Sequence, residues 1–411
     1  MRRKLFITLT VLSVLLVTAF AAGCGQQAAS KPEPVKITVW SHMTDPEIAV
    51  IKQAADQWAQ QTGNQVDVVA AQGGFQDFAT AAQSDQGPDI MFGLPHDNLG
   101  TFQAAGLLAP VPQGFLNPDD YVPLGLQAVT FNGQLYAVPL SMESYALVMN
   151  TNLVKDAPTN WTDLINTAKS LTKKDQHGFM FEVNNFYYAY AFIAGEGGYV
   201  FKNTGSGLDP NDIGLNNEGA VKGFTFLGDL VRKYKLMPSD VNGDIVNGQF
   251  TSGKLAMTIT GPWSIQGYKD ANIPIKVVPL PSITFADGNS PKPFVGVYAA
   301  FVSSASKHQD LAWQLMKYLI QNTPQQLFQV GHRIPVLKSA LNTPDIQNDP
   351  ITQAFAQSAA GGDPMPNIPQ MPAVWTPAGN ALTLITSGKA TPKAAADQLV
   401  QNVKDQIASQ K

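Results

Sequence analysis

The chain has 411 residues, enough for two or three compact units at roughly 150 residues each. Apolar residues make up 44% and mean hydropathy is −0.06, which supports a sizeable core and excludes disorder throughout. Net charge is −4 with no basic block, which argues against nucleic-acid binding. The single cysteine excludes an internal disulfide and a cysteine-based metal site. Glu is scarce, with 6 Glu beside 25 Asp and 32 Gln. Glutamine takes surface positions that Glu and Lys usually fill, so a Glu inside an apolar segment stands out.

Arg2, Arg3 and Lys4 precede an apolar run at 5–20 and the small residues Ala21, Ala22 and Gly23, the layout of an export signal. The run at 5–23 would also serve as a short membrane anchor. Ala-Ala-Gly-Cys24 resembles a bacterial lipobox, which makes 1–23 a lipoprotein signal peptide and Cys24 the lipidated mature N-terminus. Residues 24–35 are polar and rich in Pro, Gln and Ala, a flexible tether. An ordinary anchor or a cleaved soluble form are the alternatives.

Residues 36–40 (KITVW) alternate as a strand. Residues 46–61 carry Ile48, Ile51, Ala55 and Trp58 at helical spacing, closed by Thr62-Gly63. A strand at 65–70, a helix at 75–84 and a strand at 88–92 follow. This alternation implies βαβ units and a parallel sheet, with ligand beyond the carboxyl ends of the strands. The rim is then 41–47, 72–75 and 93–98. Asn132-Gly133 marks a hairpin turn. Further on, helices are expected at 161–172, 220–234, 307–321 and 392–411. Strands are expected at 179–183, 254–259, 275–279 and 295–302.

Eight pieces in order resemble the maltose/maltodextrin-binding proteins of bacterial ABC importers, family 1 solute-binding proteins. They are QGPDIMF (86–92), AAGLLAPV (104–111), NGQLYAVPLSMESYALVMN (132–150), GGYVFK (197–202), KGFTFLGDLV (222–231), KLAMTITGPW (254–263), SPKPFVGV (290–297) and MPNIPQMPAVW (365–375). MPNIPQM is the narrowest of these and points to the maltodextrin branch. The resemblance implies an α/β, two-lobed periplasmic-binding-protein-like fold with several interlobe crossings. One lobe is 36–141 plus 298–345, the other 146–294 plus 350–411. The crossings fall near 141–145, 294–298 and 343–350.

A neutral sugar offers hydroxyls and flat C–H faces, so its site needs planar acceptors and aromatic rings, without cofactor, metal or nucleophile. The resemblance implies Glu143 (in SMESYALVM) and Asp97 (in HDN) as carboxylate ligands. A solvent-facing strand end and a loop cap are their bland readings. Asn98 stands where the family has arginine. Asn185 and Phe186 replace a glutamate and a proline, and Tyr187 matches the family tyrosine. Trp263 and Trp375 match stacking tryptophans, the second read as part of a Pro-rich loop. Met365 is an apolar wall. Thr376 and Gly379 replace a tyrosine and an arginine. His96 and Tyr190 read as structural. Asp45 is either a ligand carboxylate or the N-cap of the helix from Pro46, and Glu47 suits a helix N-terminus in either case.

A secreted glycosidase also combines carboxylates and aromatics, but no nucleophile, zinc or phosphate-loop motif is present. The expectation is a non-catalytic, lipid-anchored binder on the outer face of the membrane. Its partners are maltose and linear maltodextrins, cyclodextrins as a further candidate, and the permease of an ABC importer. A monomer is the family default. An anionic ligand is disfavoured because the implied site holds carboxylates and no arginine.

Overall fold

The computed structural model describes residues 33–84, 87–205 and 207–409. The leader, Cys24 and residues 25–32 of the tether lie outside them. β1 (Lys36–Ser41) buries Ile37, Val39 and Ser41 in alternation. α1 (Asp45–Thr62) starts from Thr44, an extended N-cap, and stops at Gly63 in the left-handed region (φ 77°). Asp45 is therefore the first helical residue and not the cap. Ile51, Ala55 and Trp58 form the buried face of α1.

β2 (Gln65–Ala70), α2 (Asp77–Ala82) and β3 (Ile90–Pro95) complete the opening units. β1 pairs parallel with both β2 and β3. β3 runs three residues beyond the expected end. Gly93 (φ 97°) is left out of the ladder between Phe92 and Leu94, a bulge that lets the strand continue to Pro95. The hairpin turn has Asn132 and Gly133 both at positive φ (51° and 78°), as a two-residue turn of this kind requires.

β4 (Val138–Glu143) and β5 (Ala146–Asn150) are separated by Ser144 and Tyr145 alone, yet they belong to different sheets. Further elements include α3 (Trp161–Leu171), β6 (His177–Phe179), α4 (Phe186–Gly195) and α5 (Glu218–Arg232). β7 (Leu255–Thr260), β8 (Ile275–Val278) and β9 (Phe294–Val302) follow. Then come α6 (Gln309–Asn322), α7 (Pro324–Gly331), β10 (Ile334–Pro335), β11 (Asp363–Pro364), α8 (Pro372–Thr386) and α9 (Pro392–Ser409).

Among the described residues the first main sheet has the order β10-β4-β9-β3-β1-β2, with β11 on β9. The second has the order β8-β5-β7-β6. The expected parallel arrangement holds for β2-β1-β3. Beyond them β9, β4 and β10 run antiparallel, so the sheet is mixed. β9 is continuous from Phe294, so the crossing expected at 294–298 falls inside a strand. The two sheets carry two lobes. Phe78, Phe102 and Phe301 centre the first core. Trp161, Phe179 and Phe192 lie in the larger second core.

Candidate functional site

A cleft of about 700 Å³ lies between the lobes. His42, Met43 and Thr44 follow β1, and Gly74, Phe75 and Gln76 follow β2. Pro95, Asp97 and Asn98 lie at the end of β3. All three groups line the cleft, so the strand ends form one wall. Tyr187, Tyr188, Trp263 and Trp375 come from the second lobe.

Tyr187 and Tyr188 sit in the first turn of α4 because Asn185 caps that helix, its Oδ1 accepting from the Tyr187 N–H at 3.0 Å. The Asn185 Nδ2 donates to Glu182 at 3.3 Å, so part of this amide is spent on the fold. Trp263 follows β7 in a short 3-10 turn, 6.1 Å from Tyr187 by ring centroids. Trp375 is in the first turns of α8 and not in a loop. The prolines suggested irregular chain, but Pro372 is the first helical residue, where its missing N–H costs nothing. Phe186 is buried against Trp375, centroids 5.8 Å apart. Tyr190 is core, stacked on Phe294.

Asp97 occupies a 3-10 turn (His96–Asn98) and is almost fully buried. Burial pushes its carboxyl up to about 7, against the lowering effect of nearby donors, and Glu143 adds to the rise. Asn98 is committed to the protein. Its Nδ2 donates to Pro95 O and Asp97 Oδ1, and its Oδ1 accepts from Gln76 at 2.7 Å. His96 accepts at Nδ1 from the Val297 N–H, which assigns its hydrogen to Nε2 and the bond to Met365 O. Burial lowers this ring to about 4. Met365 lines the cleft beside Gly296.

Glu143 ends β4 at the lobe junction and is 5% exposed. Its Oε2 accepts from Arg333 Nη1. Arg333 also donates from Nε and Nη2 to the two oxygens of Glu47, at 2.7 and 3.2 Å. The guanidinium lies 4.1 Å over the Tyr298 ring. Burial raises Glu143 to about 7; Arg333 opposes the rise and Glu47 adds to it. Glu47 itself falls below its usual range, because Arg333 and the Thr44 donors outweigh the effect of burial.

A model of the family described as bacterial extracellular solute-binding protein matches residues 53–354. The chain belongs to this family. It is 31% identical over 417 residues to the maltooligosaccharide ABC transporter solute-binding lipoprotein of Streptococcus pneumoniae (strain ATCC BAA-255 / R6), covering 97% of this chain and 96% of the relative. It is 32% identical over 332 residues to the galactooligosaccharide-binding protein of Bacillus subtilis (strain 168), covering 78% and 77%. The maltose-maltodextrin binding protein of the thermoacidophilic bacterium Alicyclobacillus acidocaldarius, solved by X-ray crystallography, is 40% identical with a TM-score of 0.85. That match covers 90% of this chain and 100% of the other.

Within this solute-binding protein the structure brings Asp97, Glu143, Asn185, Tyr187, Trp263, Met365 and Trp375 to one cleft. It leaves out two expected residues. Asp45 is exposed on the first turn of α1, and Glu47 is 0% exposed behind the cleft wall, tied to Arg333 and Thr44. The expectation of a site without arginine is corrected by Arg333, which lines the cleft. Only four arginines occur in the chain, two of them at positions 2 and 3. That rarity, just before the strand-like IPV, was the available signal. Phe75, His42 and Tyr298 also line the cleft and were not singled out as ligands.

Proposed function

We propose that this solute-binding protein captures maltose and linear maltodextrins outside the cell and delivers them to the permease of an ABC importer without cleaving them. The observation that carries this reading is the composition of the cleft. Aromatic rings at Tyr187, Trp263 and Trp375 stand beside buried carboxyls at Asp97 and Glu143. Rings suit the C–H faces of a neutral sugar, and carboxyls accept from its hydroxyls. Asn185 adds an amide and Met365 an apolar wall. The names of the pneumococcal relative and of the Alicyclobacillus structure favour α-glucosyl oligomers.

Capture proceeds by closure of two lobes, 36–141 plus 298–345 against 146–294 plus 350–411, about crossings that include Ser144 and Tyr145. Cys24 carries the lipid that holds the monomer at the membrane, in keeping with the lipoprotein relative. Hydrolysis would need one carboxyl as acid and a second as base or nucleophile across one bond. Glu143 is instead engaged by Arg333.

The test is thermal-shift screening followed by calorimetric titration, since a ligand that binds only the folded state raises Tm. Maltotriose should raise Tm and maltotetraose should survive long incubation intact. A response to galacto-oligosaccharides alone would place the specificity with the Bacillus relative, and smaller sugars on chromatography would overturn the non-catalytic reading. Cyclodextrins in the same screen decide linear against cyclic preference.

A further inference from the structure

Glu47 and Arg333 form a buried pair, with Arg333 in the cleft wall and Glu47 behind it. Glu47 is held at the start of α1 by the Thr44 N–H and hydroxyl, at 2.9 and 2.7 Å from its Oε2. Gly331 presses on it from α7: a Cβ there would lie 2.3 Å from Glu47 Oε1. Both Glu47 oxygens face Arg333, a fork-to-fork pairing that fixes the guanidinium in orientation as well as position. Tyr298 supports its face. From this fixed platform Nη1 reaches Glu143.

Arg333 takes only one oxygen of Glu143. No protein donor to Oε1 is found among the described residues, and Glu143 lines the cleft. Two carboxylates share one guanidinium, so the trio carries an excess negative charge when both are ionised. We infer that Arg333, oriented by Glu47, is the positioning residue for Glu143, aiming its Oε1 into the cleft as the acceptor for a sugar hydroxyl and setting its charge. This rests on the reading of Glu143 as a sugar ligand.

Charge setting works in two opposed directions. Arg333 favours the ionised Glu143; Glu47, by engaging Arg333 and repelling the second carboxylate, disfavours it. The titratable and charged groups acting on Glu143 are Arg333, Glu47, Asp97, Tyr187 and Tyr298. A residue that merely filled space would not move the titration of Glu143 in a defined direction.

The chain has six glutamates, so carbon-13 labelling of Glu carboxyls gives a small set of NMR signals, and Glu143→Gln identifies the one of interest. In the sugar-free protein, Glu143 should titrate at least about 1 pH unit higher in Arg333→Gln and measurably lower in Glu47→Gln. Equal midpoints, or shifts of the same sign, would overturn the inference. Should Arg333→Gln not fold, the downward shift in Glu47→Gln decides by itself. Maltotriose affinity measured from pH 5.5 to 9 should follow the same midpoints, with Arg333→Gln regaining affinity at high pH. Shifted midpoints with affinities blind to pH would overturn Glu143 as the sugar acceptor and the positioning with it. Absence of maltodextrin binding by the wild type would instead overturn the choice of sugar, and the NMR midpoints would still decide the charge setting.

Discussion

Nε2 of His96 donates to the main-chain carbonyl of Met365 at 3.1 Å, across 269 positions of sequence. The bond ties the turn that carries Asp97 to the segment that carries Met365 and, shortly after, Trp375. Its other nitrogen is fixed by the Val297 N–H on β9. Acceptance at Nδ1 needs the neutral ring, and burial keeps it neutral down to about pH 4. One side chain therefore aligns a carboxyl, a thioether and the start of a tryptophan helix at pH values where an ordinary histidine would be charged.

Trp263 and Trp375 are half-buried at the cleft. A stacked ring contributes on the order of 1–3 kcal/mol through buried apolar area. Trp263→Ala or Trp375→Ala should each weaken maltotriose binding by roughly 10-fold or more, measured by calorimetric titration. Unchanged affinity would assign that ring to the rim or the core.

The Tyr187 hydroxyl is buried and has no hydrogen-bond partner among the described residues, and the ring lines the cleft. An orphaned hydroxyl costs stability in the free protein. Tyr187→Phe should therefore leave Tm unchanged or raise it, while weakening maltotriose by a few-fold to about 10-fold. Loss of Tm and affinity together would assign Tyr187 to the core alone.

Glu143 is raised from the usual 4.5 to about 7 in the fold. The folded chain then holds this proton more tightly than the unfolded chain. The stabilisation is fully present below about pH 4.5 and is lost as pH rises through 7. Glu143→Gln has no such term. In sugar-free thermal melts its Tm should gain on the wild type between pH 5 and pH 8. A variant Tm that falls relative to the wild type over this range would contradict the raised value.

Composition predicts tolerance of acid. Lys and Arg number 27 and carboxylates 31, in a chain whose usual charged content would be far higher. Full protonation builds less self-repulsion, and fewer depressed carboxylates can lose their stabilising pairs as pH falls below about 4. Glu47 is one such carboxylate. The working hypothesis is an acidic habitat. Melting temperatures at pH 7 and pH 3.5 should fall less than those of a more highly charged protein of the same fold. An equal fall would remove the hypothesis.

Local signals read well where local chemistry decides. The 65–70 strand, the helix closed by Gly63 and the Asn132-Gly133 turn follow from alternation, a C-terminal glycine and two positive φ angles. They read badly where packing decides. β3 outran its expected end because Gly93 bulges against β9, which is 200 residues away. The prolines around Trp375 predict a loop, although Pro372 opens a helix. Asp45 reads locally as a cap, whereas Thr44 and Glu47 share that role.

The sequence by itself determined the α/β class, the family likeness and the residue types that line the cleft. These depend on periodicity, turn chemistry and motifs carried by neighbouring residues. Only the tertiary structure decided which charges meet. Glu47, Glu143 and Arg333 are spread over almost 290 positions, and their encounter exists because α1, β4 and the link from α7 to β10 converge behind one wall. The energy of a buried charge depends on its partners and its distance from water. Neither quantity is written in the local order of the chain.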